Sequence, residues 1–399
     1  MSFTHKFCGL LSIFLFLVHL CDAYWLMAAH NIITTQRLDP VISPGSVSTH
    51  AHAVLGGSNF GFNTSTDALR NSSCTSIPIP EDKSNYWWSN GTFTSVSGNA
   101  VIYYLFNDTP GYTTEFPDDF RMISGDQTLR TLNPASFAQQ AITFLCLEFS
   151  GTSNRYNELP VGISCPAGIR SQINFPSCWN GNDTDSSDHK SHVAFLSTGP
   201  DNGTCTDPKF PVTLPRIFME VYWISQVFED QRKYAMTPSQ PFSDPTGYGN
   251  HADFINGWES GVLQTALDRC NCNPYGDPTC CVDQGIFGMN HSSTCYITNS
   301  VDEQTLGTLE TLPGNNPVQG YQEYIDPVTP PILSPVYVYN GSTGGPTGTL
   351  VTPAQTAIVT QTANGSCIRK GGAINAMRPP RLFSLAMLAA AAMGMGVVF

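Results

Sequence analysis

The chain has 399 residues, 41% hydrophobic and 12% charged, with 34 Gly and 29 Pro. That is the composition of a loop- and strand-rich globular protein, not of a helical bundle or an unfolded acidic chain. With 18 basic against 31 acidic residues, a net charge of −13 and no basic stripe, it excludes nucleic acid as a partner, because backbone binding needs clustered Lys and Arg.

In chain order, residues 1–23 read as a secretory leader. His5-Lys6 closes a short basic region, Phe7 to Leu20 is an apolar run too short for a comfortable membrane span, and Cys21-Asp22-Ala23 brings small residues to the cleavage position. Residues 24–311 form the expected secreted domain. Its short apolar runs at 100–106, 142–149, 192–196 and 217–224 are bounded by Gly, Pro, Asn or Asp and predict strands. In the last run Ile217, Met219, Val221 and Trp223 share one face, while Phe218, Glu220 and Tyr222 share the other. Phe254, Ile255, Trp258, Val262, Leu263, Ala266 and Leu267 recur at helical spacing, which predicts a helix from His251 to Arg269. The expected fold is mainly β: one β-sandwich or jelly-roll-like domain with few helices, stabilised by disulfides and followed by a disordered stalk. That stalk is residues 312–370, rich in Pro, Thr, Gly and Ser and nearly free of charge.

Residues 371–399 have the order of a glycosylphosphatidylinositol attachment signal: Gly371-Gly372-Ala373, a spacer, then an uncharged apolar tail from Leu382 to Phe399. The alternative is a transmembrane tail, disfavoured because no basic residue follows it. The expected location is the outer face of the plasma membrane or the cell wall, reached through a lipid anchor. Cysteine usage agrees, since ten of the 13 Cys lie between Cys74 and Cys295, enough for five bridges in an oxidising compartment. The close Cys270–Cys272 and Cys280–Cys281 spacings also admit a zinc knuckle, a reading that export makes secondary. Nine Asn-x-Ser/Thr acceptors, at 63, 71, 90, 107, 182, 202, 290, 340 and 364, mark candidate glycosylated loops.

Histidine is the natural acid–base residue near neutral pH and a common metal ligand, and five His fall into three groups: His50-Ala-His52, His189-Lys190-Ser-His192 and His251-Ala-Asp253. Alone, each has an ordinary reading as a hydrogen-bonding pair or a helix cap. Arg37 and Asp39 precede the first pair, Lys83 precedes the aromatic run Tyr86-Trp87, Arg121 sits in Phe-Arg-Met-Ile-Ser-Gly-Asp, Trp179 in Cys-Trp-Asn-Gly, and Glu220 and Tyr222 share one face of the last predicted strand. Their ordinary readings are ion pairs, turns and core packing. Their functional reading is a carbohydrate groove, in which rings face sugar rings and charged groups bond hydroxyls. The chain has no nucleophile elbow, phosphate loop, dinucleotide fingerprint or His-Glu-x-x-His.

The succession Arg37-Leu-Asp-Pro, Pro44-Gly45, Ser48-Thr-His-Ala-His52, Gly56-Gly57-Ser58, Asp82-Lys83-Ser84, Phe120-Arg-Met122, Cys178-Trp-Asn-Gly181, His189-Lys-Ser-His-Val193 and Asp253-Phe-Ile-Asn-Gly-Trp258 resembles the fungal secreted domain of unknown function numbered nineteen ninety-six. The resemblance spans about Tyr24 to Cys295 and implies an extracellular fungal protein with no established activity. This chain departs from the pattern after Tyr86-Trp87, where a Pro- and aromatic-bearing segment is nearly absent before Asn90.

Three functions follow as expectations. The first is a carbohydrate-active enzyme on a wall or environmental polysaccharide, with His50, His52, His192, Arg37, Asp39 and Asp253 as catalytic residues. Lys83, Tyr86, Trp87, Arg121, Trp179, His189, Lys190, Glu220, Tyr222 and His251 would then bind the glycan. As a uronate lyase it would use Arg37 or Arg121 against the carboxylate and a neutral His as base; as a hydrolase it would pair carboxylates such as Glu220 and Asp253. The second is a divalent metal cofactor, copper or zinc, on His50, His52 and His192, with Asp253 as a further ligand. The third is a non-catalytic glycan-binding or structural wall protein.

Overall fold

A computed structural model describes residues 22–89, 97–160, 162–228, 244, 246–270, 275–307, 309, 311–315, 328–340, 359–361 and 367–369. The expected leader up to residue 21 and the tail from 370 onward lie outside the described residues. In chain order the strands of the domain are β1 (Asp22–Ala28), β2 (Thr34–Gln36), β3 (His52–Gly56), β4 (Asn85–Ser89), β5 (Ser97–Asn107), β6 (Arg121–Gly125), β7 (Ile142–Cys146) and β8 (Asn154–Tyr156). They continue as β9 (Ile169–Asn174), β10 (Cys178–Trp179), β11 (Val193–Ala194), β12 (Val212–Thr213), β13 (Arg216–Trp223), β14 (His251–Ile255), β15 (Cys295–Ile297) and β16 (Val338–Asn340).

Two antiparallel sheets form the body. One has six strands in the order β1-β5-β13-β9-β7-β8, the other five in the order β2-β3-β4-β14-β6. Their alternation selects which side chains meet. In the six-stranded sheet Met27, Ile102, Met219, Ile173 and Ile142 stand in register across five strands, all buried. In the other, Leu55, Tyr86, Phe254 and Met122 line up across four strands, also buried. These two inner faces share one hydrophobic core, so the fold is a β-sandwich. The faces predicted for residues 217–224 are as expected: Ile217, Met219, Val221 and Trp223 join this core, while Glu220 and Tyr222 point outward.

Three buried aromatic tips in the core, those of Tyr86, Tyr104 and Trp258, bond one another. The Tyr86 hydroxyl lies 2.7 Å from both Asp82 Oδ2 and the Tyr104 hydroxyl, and Trp258 Nε1 donates to Tyr104 at 2.9 Å. Burial pushes the Asp82 carboxyl up to about 6.

The outer face of the five-stranded sheet has its own smaller core. Val54, Trp87 and Ile123 project there with Ile33, Leu38, Cys295 and Ile297. It is covered by the loop between β2 and β3 and by the chain from Cys295 onward. Arg37 holds these two covers together. Its Nε meets Glu303 at 2.6 Å, and its terminal nitrogens donate to the carbonyls of Ser48 (2.9 Å) and Val328 (2.8 Å).

Four disulfides join described residues: Cys74–Cys295, Cys146–Cys165, Cys178–Cys205 and Cys270–Cys281. Cys280 is disulfide-bonded too, and Cys272 lies outside the described residues. The bridge from Cys270 to Cys281 removes the thiolates that a zinc knuckle would need.

The sequence expectation fails between His251 and Arg269. Residues His251–Ile255 are strand β14, paired with β4 on one side and β6 on the other, and only Val262–Arg269 is helical. A central strand buried on both faces reads as a continuous apolar run, which periodicity cannot separate from a buried helix. The break between them is steric. A Cβ on Gly257 would come within 2.6 Å of the Lys83 carbonyl group, and Gly261, at φ 72°, supplies the left-handed turn that opens the helix. His251 and Asp253 are therefore strand neighbours on one sheet face, with no helix N-terminus beside them.

Residues 328–340, within the Pro- and Thr-rich stretch, lie back along the domain. Thr298 N–H donates to Tyr337 O, and β16 pairs with β15. No helix among the described residues is long and apolar enough to cross a membrane.

Candidate metal centre

Pairing in the five-stranded sheet sets the site. His52 opens β3 opposite Ser89 of β4, and His251 opens β14 opposite Gly125 of β6. Both project from the outer face, at the end of the sheet where the β2–β3 loop returns. That loop delivers His50. The ring centroids of His50 and His52 are 4.3 Å apart, those of His50 and His251 5.0 Å, and those of His52 and His251 5.9 Å. One ring nitrogen from each lies within 4.8 Å of the other two, so His50, His52 and His251 form a group able to hold a metal ion. His52 and His251 are buried and His50 is half-buried.

The orientation of each ring follows from its other nitrogen. His52 Nδ1 is 2.8 Å from the Leu38 carbonyl and His251 Nδ1 is 3.0 Å from the Gly249 carbonyl. A carbonyl only accepts, so both Nδ1 atoms carry the proton and both Nε2 lone pairs face inward. His50 Nε2 is 3.1 Å from His251 Nε2, and its Nδ1 is 3.2 Å from Thr49 Oγ1. Without an ion, His50 therefore donates from Nε2. To ligate through Nε2 it must move that proton to Nδ1, where Thr49 Oγ1 can accept it. Carbonyl-anchored imidazoles with converging free nitrogens are the arrangement that second-shell contacts impose on metal ligands.

Electrostatics keep the rings neutral. Burial, with His251 alongside, holds His52 down to about 4 against the pull of Asp39 and the Leu38 carbonyl. His50 is held well below the usual imidazole range by burial and by His52, His251 and Arg37, and His251 is lowered by burial. A ring-nitrogen NMR titration of metal-free protein should therefore find His52 neutral at pH 5.5 and protonating near 4. The unfolded ring titrates at about 6.5, so His52 contributes stability that is complete above that pH. This contribution is lost as the pH falls toward 4, to the order of 3 kcal/mol. Titration of His52 near 6.5 would show that the pocket is wet and open.

Two carboxyls border the group. Asp39 Oδ1 accepts from the N–H groups of Val41 and Ile42, and its Oδ2 lies 4.0 Å from His52 Nε2. Asp253 is fully buried on the same face of β14 as His251, and neither of its oxygens has a hydrogen-bond partner. Burial and Asp39 drive its carboxyl well above the usual range.

The other expected site residues stand elsewhere. His192, expected as the third ligand, has both ring nitrogens engaged, by Ser186 Oγ at 2.9 Å and the Arg121 carbonyl at 2.9 Å, and packs on Phe120. His251 takes its place in the imidazole group. His189 pairs with Asp185 at 2.7 Å, Lys190 with Asp126 at 3.3 Å, and Arg121 reaches Asp119 O and Asp185. Trp179 is half-buried, its Nε1 donating to the Asp183 carbonyl.

Lys83 bonds the Arg70 carbonyl and Glu259. Tyr86 and Trp87 are fully buried, so neither ring offers a face to a sugar. Glu220 lies on the other sheet, clamped by Arg170 at 2.9 Å and by the hydroxyls of Tyr103 and Tyr222.

Sequence reading grouped His251 with substrate-binding residues. The only signal that could have moved it was the alternation of His251-Ala-Asp253 against the apolar residues after it, masked by the helical spacing of the same stretch.

A family model described as "Domain of unknown function (DUF1996)" matches residues 39–258. No curated protein and no solved structure matches the chain.

Proposed function

The chain belongs to the DUF1996 family, whose description assigns no activity, and from the imidazole group we propose that it is an extracellular transition-metal protein holding one copper or zinc ion on His50, His52 and His251. The observation that carries this reading is the convergence of three imidazoles, one ring nitrogen of each within 4.8 Å of the others, with two rings fixed by main-chain carbonyls to the Nδ1–H tautomer. Imidazole suits copper and zinc. Three protein ligands would leave a coordination position for substrate or water, where the ion supplies Lewis-acid or, for copper, redox chemistry. His50, half-buried next to exposed Thr49, marks the side from which that position is reached.

Metal-free elimination and hydrolysis are less well supported by the geometry. A lyase needs a cation beside the imidazoles to meet a uronate carboxylate. Arg37 is committed to Glu303, Ser48 and Val328, and Arg121 lies by Asp119 and Asp185. A hydrolase using Glu220 and Asp253 needs them in one site, yet they stand on different sheets. The leader, the disulfides and the glycan acceptors support an extracellular setting. A lipid-anchored position at the wall makes a polysaccharide the substrate class we propose for the centre.

The test is the metal content of the secreted chain after equilibration with zinc or copper and desalting. One ion per chain is expected, and none retained from either metal sinks the reading. Mass spectrometry of polysaccharides incubated with the loaded protein then separates oxidation, hydrolysis and elimination by product mass.

A further inference from the structure

Asp253 has no role in holding the fold that its contacts reveal. It is buried, its two oxygens bond nothing, and its neighbours in register are apolar: Trp87 on β4 and Ile123 on β6, with Val54 beyond on β3. A buried carboxyl without partners is destabilising, and a protein gains by replacing it with an apolar residue of similar size. Strand alternation places it on the same face as His251, two residues along β14. Asp39, the carboxylate that lies 4.0 Å from His52 Nε2, borders the same group of imidazoles. His52 Nε2 is itself buried without a hydrogen-bond partner. On this sheet face the Asp253 carboxyl and His52 Nε2 are thus both buried acceptors without a donor, and a cation is one partner that could serve both.

We propose that Asp253 is the charge-balancing carboxylate of the imidazole centre, and that it makes the centre select a divalent over a monovalent ion. This rests on the metal reading above. Three neutral imidazoles bring no negative charge to offset the ion they hold. A dry pocket makes each uncompensated charge costly, so the second positive charge of a divalent ion needs a second negative group. Asp39 supplies one, but its Oδ1 is already shared with two main-chain N–H groups. Asp253 has both oxygens free of such claims.

The test compares zinc and silver binding by calorimetry on the full secreted chain and on two variants, Asp253→Asn and Asp253→Leu. Silver is the probe for the monovalent state because it needs no reductant that would open the disulfides. Zinc affinity is expected to fall roughly ten- to a hundred-fold in both variants, the range seen when groups around metal ligands are removed. Silver affinity should stay within about threefold, as expected when only the charge balance changes. Metal-free Asp253→Leu is expected to melt no lower than the parent chain, a result that a residue kept for the fold would not give.

An equal fall for both ions would mean a distorted pocket and overturn the proposal, as would unchanged zinc affinity. If the parent chain binds neither ion, the metal reading fails and takes this one with it. If the parent binds zinc and the variants bind it equally well, only the role of Asp253 fails.

Discussion

Replacing His52 by alanine is expected to weaken zinc binding by roughly a hundred- to a thousand-fold, taking one ligand's share of the about 10–16 kcal/mol of a structural zinc site. His52 is the most constrained of the three. It is fully buried, its Nδ1 is pinned to Leu38 O, and its Nε2 has no other partner. His251→Ala should behave alike. His192→Ala, by contrast, should leave affinity unchanged within about threefold, since metal affinity tracks ligands and the groups that orient them and His192 bonds Ser186 and Arg121 instead. Calorimetry checks all three variants. An effect from His192→Ala as large as that from His52→Ala would mean that the ligand set has been misassigned.

The second large effect is on stability. Cys74–Cys295 closes the longest loop of the bridges between described residues, with a sequence separation of 221, and the chain-entropy argument gives it about 5 kcal/mol. It also anchors the segment that leads to Glu303 and hence to Arg37, over the outer face of the five-stranded sheet. The paired substitution Cys74→Ala with Cys295→Ala is therefore expected to cost up to about 5 kcal/mol in denaturant unfolding. Zinc binding should weaken alongside, because Arg37 ties this cover to Ser48, two residues before His50. A loss of under about 1 kcal/mol would show that hydrogen bonds alone hold the cover, such as those from the Cys295 N–H to Asn31 Oδ1 and from the Ile297 N–H to the Ile33 carbonyl.

Several features were legible along the chain because they are local. The alternation in residues 217–224 named the face that enters the core, since period two is a property of a strand wherever it is placed. Ten cysteines between Cys74 and Cys295, in a chain read as exported, named a disulfide scaffold, and His50-Ala-His52 named two of the three imidazoles. The aromatic run was misleading for a physical reason. Tyr86 and Trp87 alternate between the two faces of a central strand, and both faces of that sheet are covered, so both rings are core. Composition cannot distinguish a ring buried by a second layer from a ring offered to a sugar.

Class of fold, disulfide chemistry and two of the three imidazoles of the candidate site were thus determined by the sequence itself, each through residues near one another in the chain. The third imidazole was decided only by tertiary structure. His251 is 199 positions from His52, the arithmetic of their numbering, and nothing local ties them. They meet because β4 inserts between β3 and β14 in the sheet and sets both on one face. The same insertion set Asp253 on the sheet face of the imidazoles, two residues from His251, rather than at a helix cap. Long-range pairing creates such sites because the hydrogen-bond ladder, not the order of residues, sets which side chains share a face.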